Sequence, residues 1–519
     1  MANQQLFQTL LAKTVQANAT DAINQAGAPA YALSPQHQLA QLAMTGCLNH
    51  TFYASAETQL ADVLQLALQV DDAFIAKTAV YSRERGLMKD MPALLTAVLA
   101  AKGSALLPAV FGRTIDTGKM LRNFVQIVRS GATGRKSLGS RPKKLVQTWL
   151  NTATEVQLLQ ATVGNAPSLA DVVKMVHPKP AEAWRAAFFA WLIGKPHDAT
   201  QLPPLTRELC AFRAGESKVL PDVPFQLLTN APLNAAQWAV LSERMGWHAL
   251  RMSLNTLGRQ GAFSLPGVTK RVAARLADAA QVRKARVYPY QLLAAYRSAV
   301  DPVPLAVREA LQDALDVSLA NVPKLEGNVV VCPDVSGSMG SPVTGWRQGA
   351  TSVVRCIDVA ALVAAAILRS HPRARVLPFE QRVVDVRLNA RDSVMTNADK
   401  LAAIGGGGTN CSAPLAKLVA ERAKVDVVIL VSDNESWVDA TRHGATQTML
   451  QWDLLKLRNP QAKLVCIDLQ PYGTTQAMER EDILNVGGFG DAVFDVIAQF
   501  ASGSFGAGHW VEAIEATVL

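Results

Sequence analysis

Along the first 320 or so residues, apolar side chains recur at spacings of three and four. Leu60, Val63, Leu64, Leu66, Ala67 and Val70 make one such run; Leu94, Leu95, Val98 and Leu99 make another. That spacing gathers apolar groups on one face of an α-helix. Breakers at Gly86, Pro92, Gly103, Pro108, Gly131, Gly134, Gly139, Pro167, Pro178 and Pro180 cut the pattern at short intervals. No convincing alternating strand run interrupts it. Many short helices joined by turns predict an α-solenoid of stacked pairs. The repeats are too dissimilar to yield a period.

After about residue 325 the pattern changes. Short β-rich runs appear at 328–333, 374–379, 382–387, 426–432 and 463–468, with helical patterns between most of them, such as 351–370 and 411–424. Strands alternating with helices predict a mostly parallel, doubly wound sheet. Only two residues separate 374–379 from 382–387, which predicts an antiparallel hairpin at one edge. The stretch Pro323-Lys324-Leu325-Glu326-Gly327 is the expected boundary. The fold class is therefore mainly α followed by α/β, with domains at 1–325 and 326–519.

A chain of 519 residues exceeds one ordinary core. Its N-terminus lacks a basic run followed by an apolar core, so no signal peptide is expected. No apolar run reaches the ~20 residues that span a bilayer. Cys47, Cys210, Cys332, Cys356, Cys411 and Cys466 form no CxxC pair, which argues against a disulfide framework or zinc knuckle. A cytoplasmic protein without membrane attachment is expected. The net charge of +9 is uneven: residues 1–325 carry 34 Lys+Arg against 21 Asp+Glu, and residues 326–519 carry 17 against 21. A basic excess confined to the helical part points to a polyanionic partner there.

In a doubly wound sheet, ligands sit beyond the carboxyl ends of the strands. Asp334 ends the first strand run and is followed by Ser336 and Ser338. Thr409 lies in the glycine-rich 405–412 loop, and Asp433 ends the run 427–432. Two carboxylates and three hydroxyls can then converge as hard oxygen ligands for Mg²⁺, completed by water or a partner's carboxylate. The competing reading makes them caps and turns. A nucleophile is disfavoured, because the Gly-x-Ser-x-Gly elbow is absent. GATGRKS at 131–137 lacks the four-residue gap of a P-loop.

The stretch 113–144 holds nine Lys/Arg and one acid, Asp116. Gly131, Gly134 and Gly139 let the backbone approach a ligand. Ser137 or Ser140 can cap the helix that begins near Arg141-Pro142, and a helix N-terminus beside Arg and Lys cradles phosphate. A second stretch, 172–184, sets His177 at a helix end near Lys174 and Lys179. Histidine can stack on bases. The bland alternatives are a solvated basic face and an ordinary turn histidine.

Asp-x-Ser-x-Ser, a distant Thr and a distant Asp resemble the metal-ion-dependent adhesion site of von Willebrand factor A domains, with all five positions filled. The wider order of motifs resembles the Ro autoantigen family. RSGATGRKSLG, KKLVQTWL, VVKMVHPKP and YSRERGLMKDMP carry that resemblance in the helical part, known in the family as the TROVE module. DVSGSMGSP, GGTNCSAPL and VSDNESW carry it in the A-type part. The resemblance implies a HEAT-like α-helical repeat ring, monomeric, closed by the A domain. It implies binding of small noncoding RNAs (Y RNAs) on a basic outer surface and of single-stranded 3′ ends of misfolded structured RNAs at the central hole. By position, the implied RNA-facing residues are Arg135, Lys136, Arg141, Lys143, Lys144 and His177. The length implies a bacterial member, in which RNA links the ring to an exoribonuclease. In the segment Arg251-Met252-Ser253-Leu254 the family's usual Arg-Asn-Leu is not reproduced, and no role is assigned to it.

Three functions compete: a noncoding-RNA scaffold for quality control, a metal-dependent protein-adhesion scaffold with no RNA role, and a hydrolase using Asp334 and Asp433. The hydrolase is least favoured, since a two-metal nuclease wants more carboxylates. The protein is expected not to be an enzyme.

Overall fold

The computed structural model describes residues 18–45, 48–51, 53–229, 231–287, 289–319, 325–346, 354–437, 444–488, 491–503 and 509–519. The strands, in chain order, are β1 (Ala22–Ile23), β2 (Pro29–Ala32), β3 (Val329–Pro333), β4 (Arg375–Val376), β5 (Val427–Ser432), β6 (Lys463–Asp468), β7 (Thr474–Thr475) and β8 (Ile483–Gly487). The chain divides into two compact units. One takes in residues 1–69, 286–298 and 312–516; the other takes in 70–285, 299–311 and 517–519.

The second unit is helical, as the three–four spacing predicts. The helix Asp72–Glu84 packs on Asp90–Lys102, which packs on Gly118–Arg129; Gly118–Arg129 meets both Glu155–Ala161 and Leu169–Val176. Ser140–Thr152 likewise packs on Leu169–Val176. Asp90–Lys102 is buried continuously from Met91 to Ala100. A helix apolar all round belongs inside, and the run Met91–Ala100 supplies that composition. Gly118 is a close-approach position: a Cβ there would lie 2.1 Å from Ala161 Cβ.

The first unit is built on five strands in the order β4-β3-β5-β6-β8, all parallel. β3 and β5 are buried along their whole length, which is why they read as unbroken Val/Ile/Leu runs. Alternate residues Val330, Cys332, Val428, Leu430, Leu464 and Cys466 share a core with Leu415, Leu418, Met449 and Trp452. The helix Cys356–Ser370 packs on β3 and β5, and on the helix Val394–Ala402.

Several expectations change in detail. The run 374–379 forms β4, paired parallel to β3, and the hairpin with 382–387 shrinks to one antiparallel bridge between Phe379 and Val383. No strand forms at 382–387. β8 escaped the reading because Asn485 interrupts a short apolar run. β1 and β2 contradict the expectation of an N-terminal part without strands. β2 pairs antiparallel with β7, Tyr31 opposite Thr475, and Tyr31 joins the sheet core. The boundary expected at 323–327 falls partly outside the described residues. Packing groups residues 1–69 with the sheet instead of with the helices that follow them, because β2 and the helix Pro35–Thr45 cover β7 and β8.

Trp452 is wholly buried, and its Nε1 donates to Asp482 Oδ2 at 2.9 Å. Trp452→Ala is expected to lower the unfolding free energy of this unit by about 3–5 kcal/mol, read as a lower urea midpoint.

Candidate metal centre and basic surface

The parallel pairing of β3 with β5 sets Pro333 opposite Val431, so Asp334 and Asp433 leave neighbouring strands at the same end of the sheet. Asp334 N–H still donates to Val431 O at 2.9 Å. The glycine-rich loop docks beside them: Gly337 N–H donates to Gly407 O at 3.1 Å, and Gly406 N–H to Val335 O at 3.0 Å. Gly407 has φ +75°, and a Cβ there would strike the Glu380 carboxylate at 1.5 Å. That loop therefore requires glycine.

The structure brings all five candidate residues together. Thr409 Oγ1 donates to Ser336 Oγ at 2.9 Å, and the hydroxyls of Ser336 and Ser338 are 3.3 Å apart. Ser336 N–H donates to Asp334 Oδ1 at 2.8 Å, and the Ser338 hydroxyl lies beside Asp433 and favours its charged form. Asp334, Ser336, Ser338, Thr409 and Asp433 are all buried. Burial pushes both aspartates above the usual carboxylate range, and the Asp433 charge adds to the effect on Asp334. Their partners are hydroxyls and backbone amides; Ser432 Oγ donates to Asp334 Oδ2 at 2.5 Å. Buried carboxylates are normally paired with a cation or a metal. Carboxylates backed by hydroxyls fit a hard divalent ion.

Sequence reasoning missed several neighbours. Glu435 is buried, and its pKa rises to about 8 through burial and the nearby Asp433. Its Oε2 accepts Gln25 N–H at 2.7 Å, and its Oε1 is buried without a hydrogen-bond partner among the described residues. Asp468, at the end of β6, is also buried and raised, mainly by burial. Tyr53 lies near Ser338, and its phenol is raised by burial and by the charges of Asp433 and Glu435. The burial of Glu435 and the contributions of Gln25 and Tyr53 leave no local signal, because their partners lie hundreds of positions apart in the chain.

The basic candidates divide into two groups. Arg135 Nη1 donates to Ala100 O at 2.8 Å. Arg141 Nη1 donates to Gly103 O at 3.3 Å and Ser104 O at 3.0 Å. These arginines close the carbonyl end of the helix Asp90–Lys102, where backbone acceptors lack intrahelical donors. Arg185 and Arg275 do the same for Leu150/Ala153 and Ser242/Glu243/Met245. Lys136, Lys144 and His177 are exposed, and Lys143 is half-buried. The two candidate stretches meet. Gln147 Nε2 donates to Val176 O at 2.6 Å and to His177 O at 3.3 Å, and Asn151 Nδ2 donates to Lys179 O at 3.4 Å. Both donors lie on the helix Ser140–Thr152, which carries Lys143 and Lys144. The expected serine cap is absent: Gly139, at φ 72°, takes the N-cap position with no side-chain bond.

The helical unit also holds a cavity of about 550 Å³ lined in part by Lys119, Arg122, Arg244, Phe225, Gln160 and Gln226. Arg122 is 8% exposed, donates to Val163 O and Pro167 O, and has its pKa lowered by burial. Five separated segments supply this lining, so no local pattern announced it.

Residues 328–501 match the family model described as the Ro60 vWA domain. The chain is 25% identical over 521 residues to the RNA-binding protein RO60 of Deinococcus radiodurans, covering 92% of this chain and 95% of that one. It is 22% identical over 243 residues to the RNA-binding protein RO60 of Caenorhabditis elegans, covering 45% of this chain and 36% of that one. The crystal structure of the Deinococcus radiodurans Ro protein aligns with a TM-score of 0.62 at 22% identity, covering 91% of this chain and all of that one. The last comparison establishes the shared fold.

The two groups of basic residues are expected to respond differently to truncation. Arg141→Ala removes the bonds to Gly103 O and Ser104 O and should cost about 0.5–1.5 kcal/mol of stability. Lys144→Ala should stay within about 0.5 kcal/mol of wild type. Paired urea titrations of the two variants check this.

Proposed function

Since this chain is a relative of the Ro60 proteins along nearly its whole length and carries a Ro60-type vWA domain at 328–501, we propose that it binds RNA through its helical unit. The observation that carries this reading is the joining of two basic stretches. The helix Ser140–Thr152 bears Lys143 and Lys144 and holds the backbone of His177 and Lys179 through Gln147 and Asn151. Lys136, Lys143, Lys144, Lys179 and His177 then form one patch on the helical unit. RNA helices are contacted largely through phosphates and shape, which such a patch suits. Arg135 and Arg141 act as positioning residues, since their guanidinium groups are spent on carbonyls.

The ligand is a structured noncoding RNA of the Y RNA kind. Single-stranded 3′ ends enter the cavity lined by Lys119, Arg122 and Arg244, where Phe225 offers a stacking face. The protein is a scaffold for RNA quality control that presents RNA to an exoribonuclease, and is not itself an enzyme. Asp334, Ser336, Ser338, Thr409 and Asp433 hold Mg²⁺. When bound, the ion supplies positive charge to an oxygen from water or a partner's carboxylate. The chain's own residues orient the ligand oxygens and shield them from solvent.

Two outcomes follow. RNA affinity should fall steeply with salt, by about 0.7–0.9 in log–log slope per phosphate contact. Lys136→Ala/Lys143→Ala/Lys144→Ala should flatten that slope by about 2–3, measured with a hairpin RNA bearing a 3′ tail. An unchanged slope would remove the patch from the interface. Separately, Mg²⁺ at a hundredfold excess over its Kd should stabilise the wild type by about 2.7 kcal/mol. It should leave Asp334→Asn unmoved in the same thermal scan.

A further inference from the structure

One edge of the five-stranded sheet is β4, and the chain that follows it turns back without joining the ladder. Phe379 and Val383 form a single antiparallel bridge. Beside it, Glu380 N–H donates to Arg382 O at 3.0 Å and Val384 N–H to Pro378 O at 2.8 Å. The chain then runs to Asn389 without a turn or bend. Exposure alternates along it: Val384, Val386 and Leu388 are half-buried, while Asp385, Arg387 and Asn389 are exposed. A period of two is that of an extended strand with one face against the protein. The far end is fastened. Asn397 Nδ2 donates to Asn389 O at 2.7 Å, and Arg369 Nη1 donates to Ala390 O and Arg391 O, each at 3.2 Å. Between these fixed ends, the peptide N–H and C=O groups of residues 385–388 have no hydrogen-bond partner among the described residues. An extended run of open peptide groups is a template for another strand, and holding it at both ends lowers the ordering cost of pairing.

The charge around this edge is local. Residues 326–519 carry more acids than bases, yet residues 369–391 hold six arginines against Glu380 and Asp385. Arg375 pairs with Glu421 at 2.7 Å, and Arg382 reaches Glu380 only at 4.0 Å. Arg373, Arg387 and Arg391 are exposed and have no ion pair among the described residues. A second copy of this edge would bring arginines against arginines, which opposes pairing. A phosphate chain would meet the arginines but would also face the open carbonyls of 385–388 with like charge. A peptide with acidic side chains matches both features, since its main chain donates as well as accepts.

We propose that residues 384–388 are a docking edge to which a partner protein adds an extended acidic strand. Main-chain bonds supply the affinity, and the arginines select the sequence. An acidic residue of the partner lies opposite Arg387, and a neutral or basic one lies opposite Asp385. The inference involves neither the metal loops nor the basic patch of the helical unit.

The test uses the full chain and a short fluorescent peptide alternating glutamate with threonine, followed by anisotropy. The same peptide with glutamine for glutamate should bind at least about tenfold more weakly, equivalent to about 1.4 kcal/mol. N-methylation of alternate peptide nitrogens, which removes main-chain donors and keeps the charge, should weaken it at least as much. Arg387→Glu, at an exposed position, should lose the glutamate peptide and gain its lysine counterpart. In the complex, amides within 385–388 should gain protection from hydrogen exchange. No binding of the glutamate peptide overturns the proposal. So does an N-methylated peptide that binds as tightly as its parent, since the contact is then charge alone. Polyuridylate that displaces the peptide, and that Arg387→Glu weakens, makes the occupant RNA and overturns it as well.

Discussion

The register between β3 and β5 is the constraint on which the candidate metal centre depends. Because Pro333 lies opposite Val431, both chains leave the sheet together, and each next or next-but-one residue is a buried carboxylate. A slip of one residue would turn every side chain of the strand to the other face. The core forbids that slip, since Val330, Cys332, Val428 and Leu430 must all reach the side occupied by Leu415, Met449 and Trp452. Apolar packing thus fixes where two like charges meet. The hydroxyls of Ser336, Ser338, Thr409 and Ser432 then organise them without neutralising them.

That unneutralised charge links the rest of the sheet-bearing unit to one face. Asp433 acts on Asp334, Glu435 and Asp468 together. The segment 24–26 and Tyr53 lie against it, through Gln25 and the Tyr53 side chain. β2 is held by β7, and the helix Pro35–Thr45 by β8. The strand Pro29–Ala32, the helix Pro35–Thr45, Gln25 and Tyr53 are therefore structural parts of the unit that holds the candidate site.

In the helical unit, charge has two uses that a count of Lys and Arg does not separate. Arginine's planar fork suits two carbonyls at a helix end, and Arg141, Arg185 and Arg275 are used in this way. Lysine's point charge has no such fork, and Lys136 and Lys144 remain at the surface. The basic excess of the first 325 residues is therefore partly an internal fastening and partly an outward field.

By itself the sequence determined the alternation of classes, helices first and a parallel sheet after, because apolar periodicity is a local property of the backbone. It also determined the five metal-site candidates, because strand ends in a doubly wound sheet are readable from Val/Ile runs closed by Asp. Tertiary structure decided what depends on distant partners. β2 has four residues, Pro29–Ala32, too few to show a period, and exists through β7. The 382–387 run is rich in valine yet forms no strand, because its pairing with 378–380 stops at one bridge, Phe379 to Val383, and the hydrogen bonds beside it. Ser137 and Ser140 have the chemistry of caps, but Gly139 reaches a left-handed φ that they do not adopt cheaply. Glu435, Tyr53, Gln25 and the lining of the 550 Å³ cavity became visible only once separated segments had packed, since burial and long-range hydrogen bonds are properties of the assembled core.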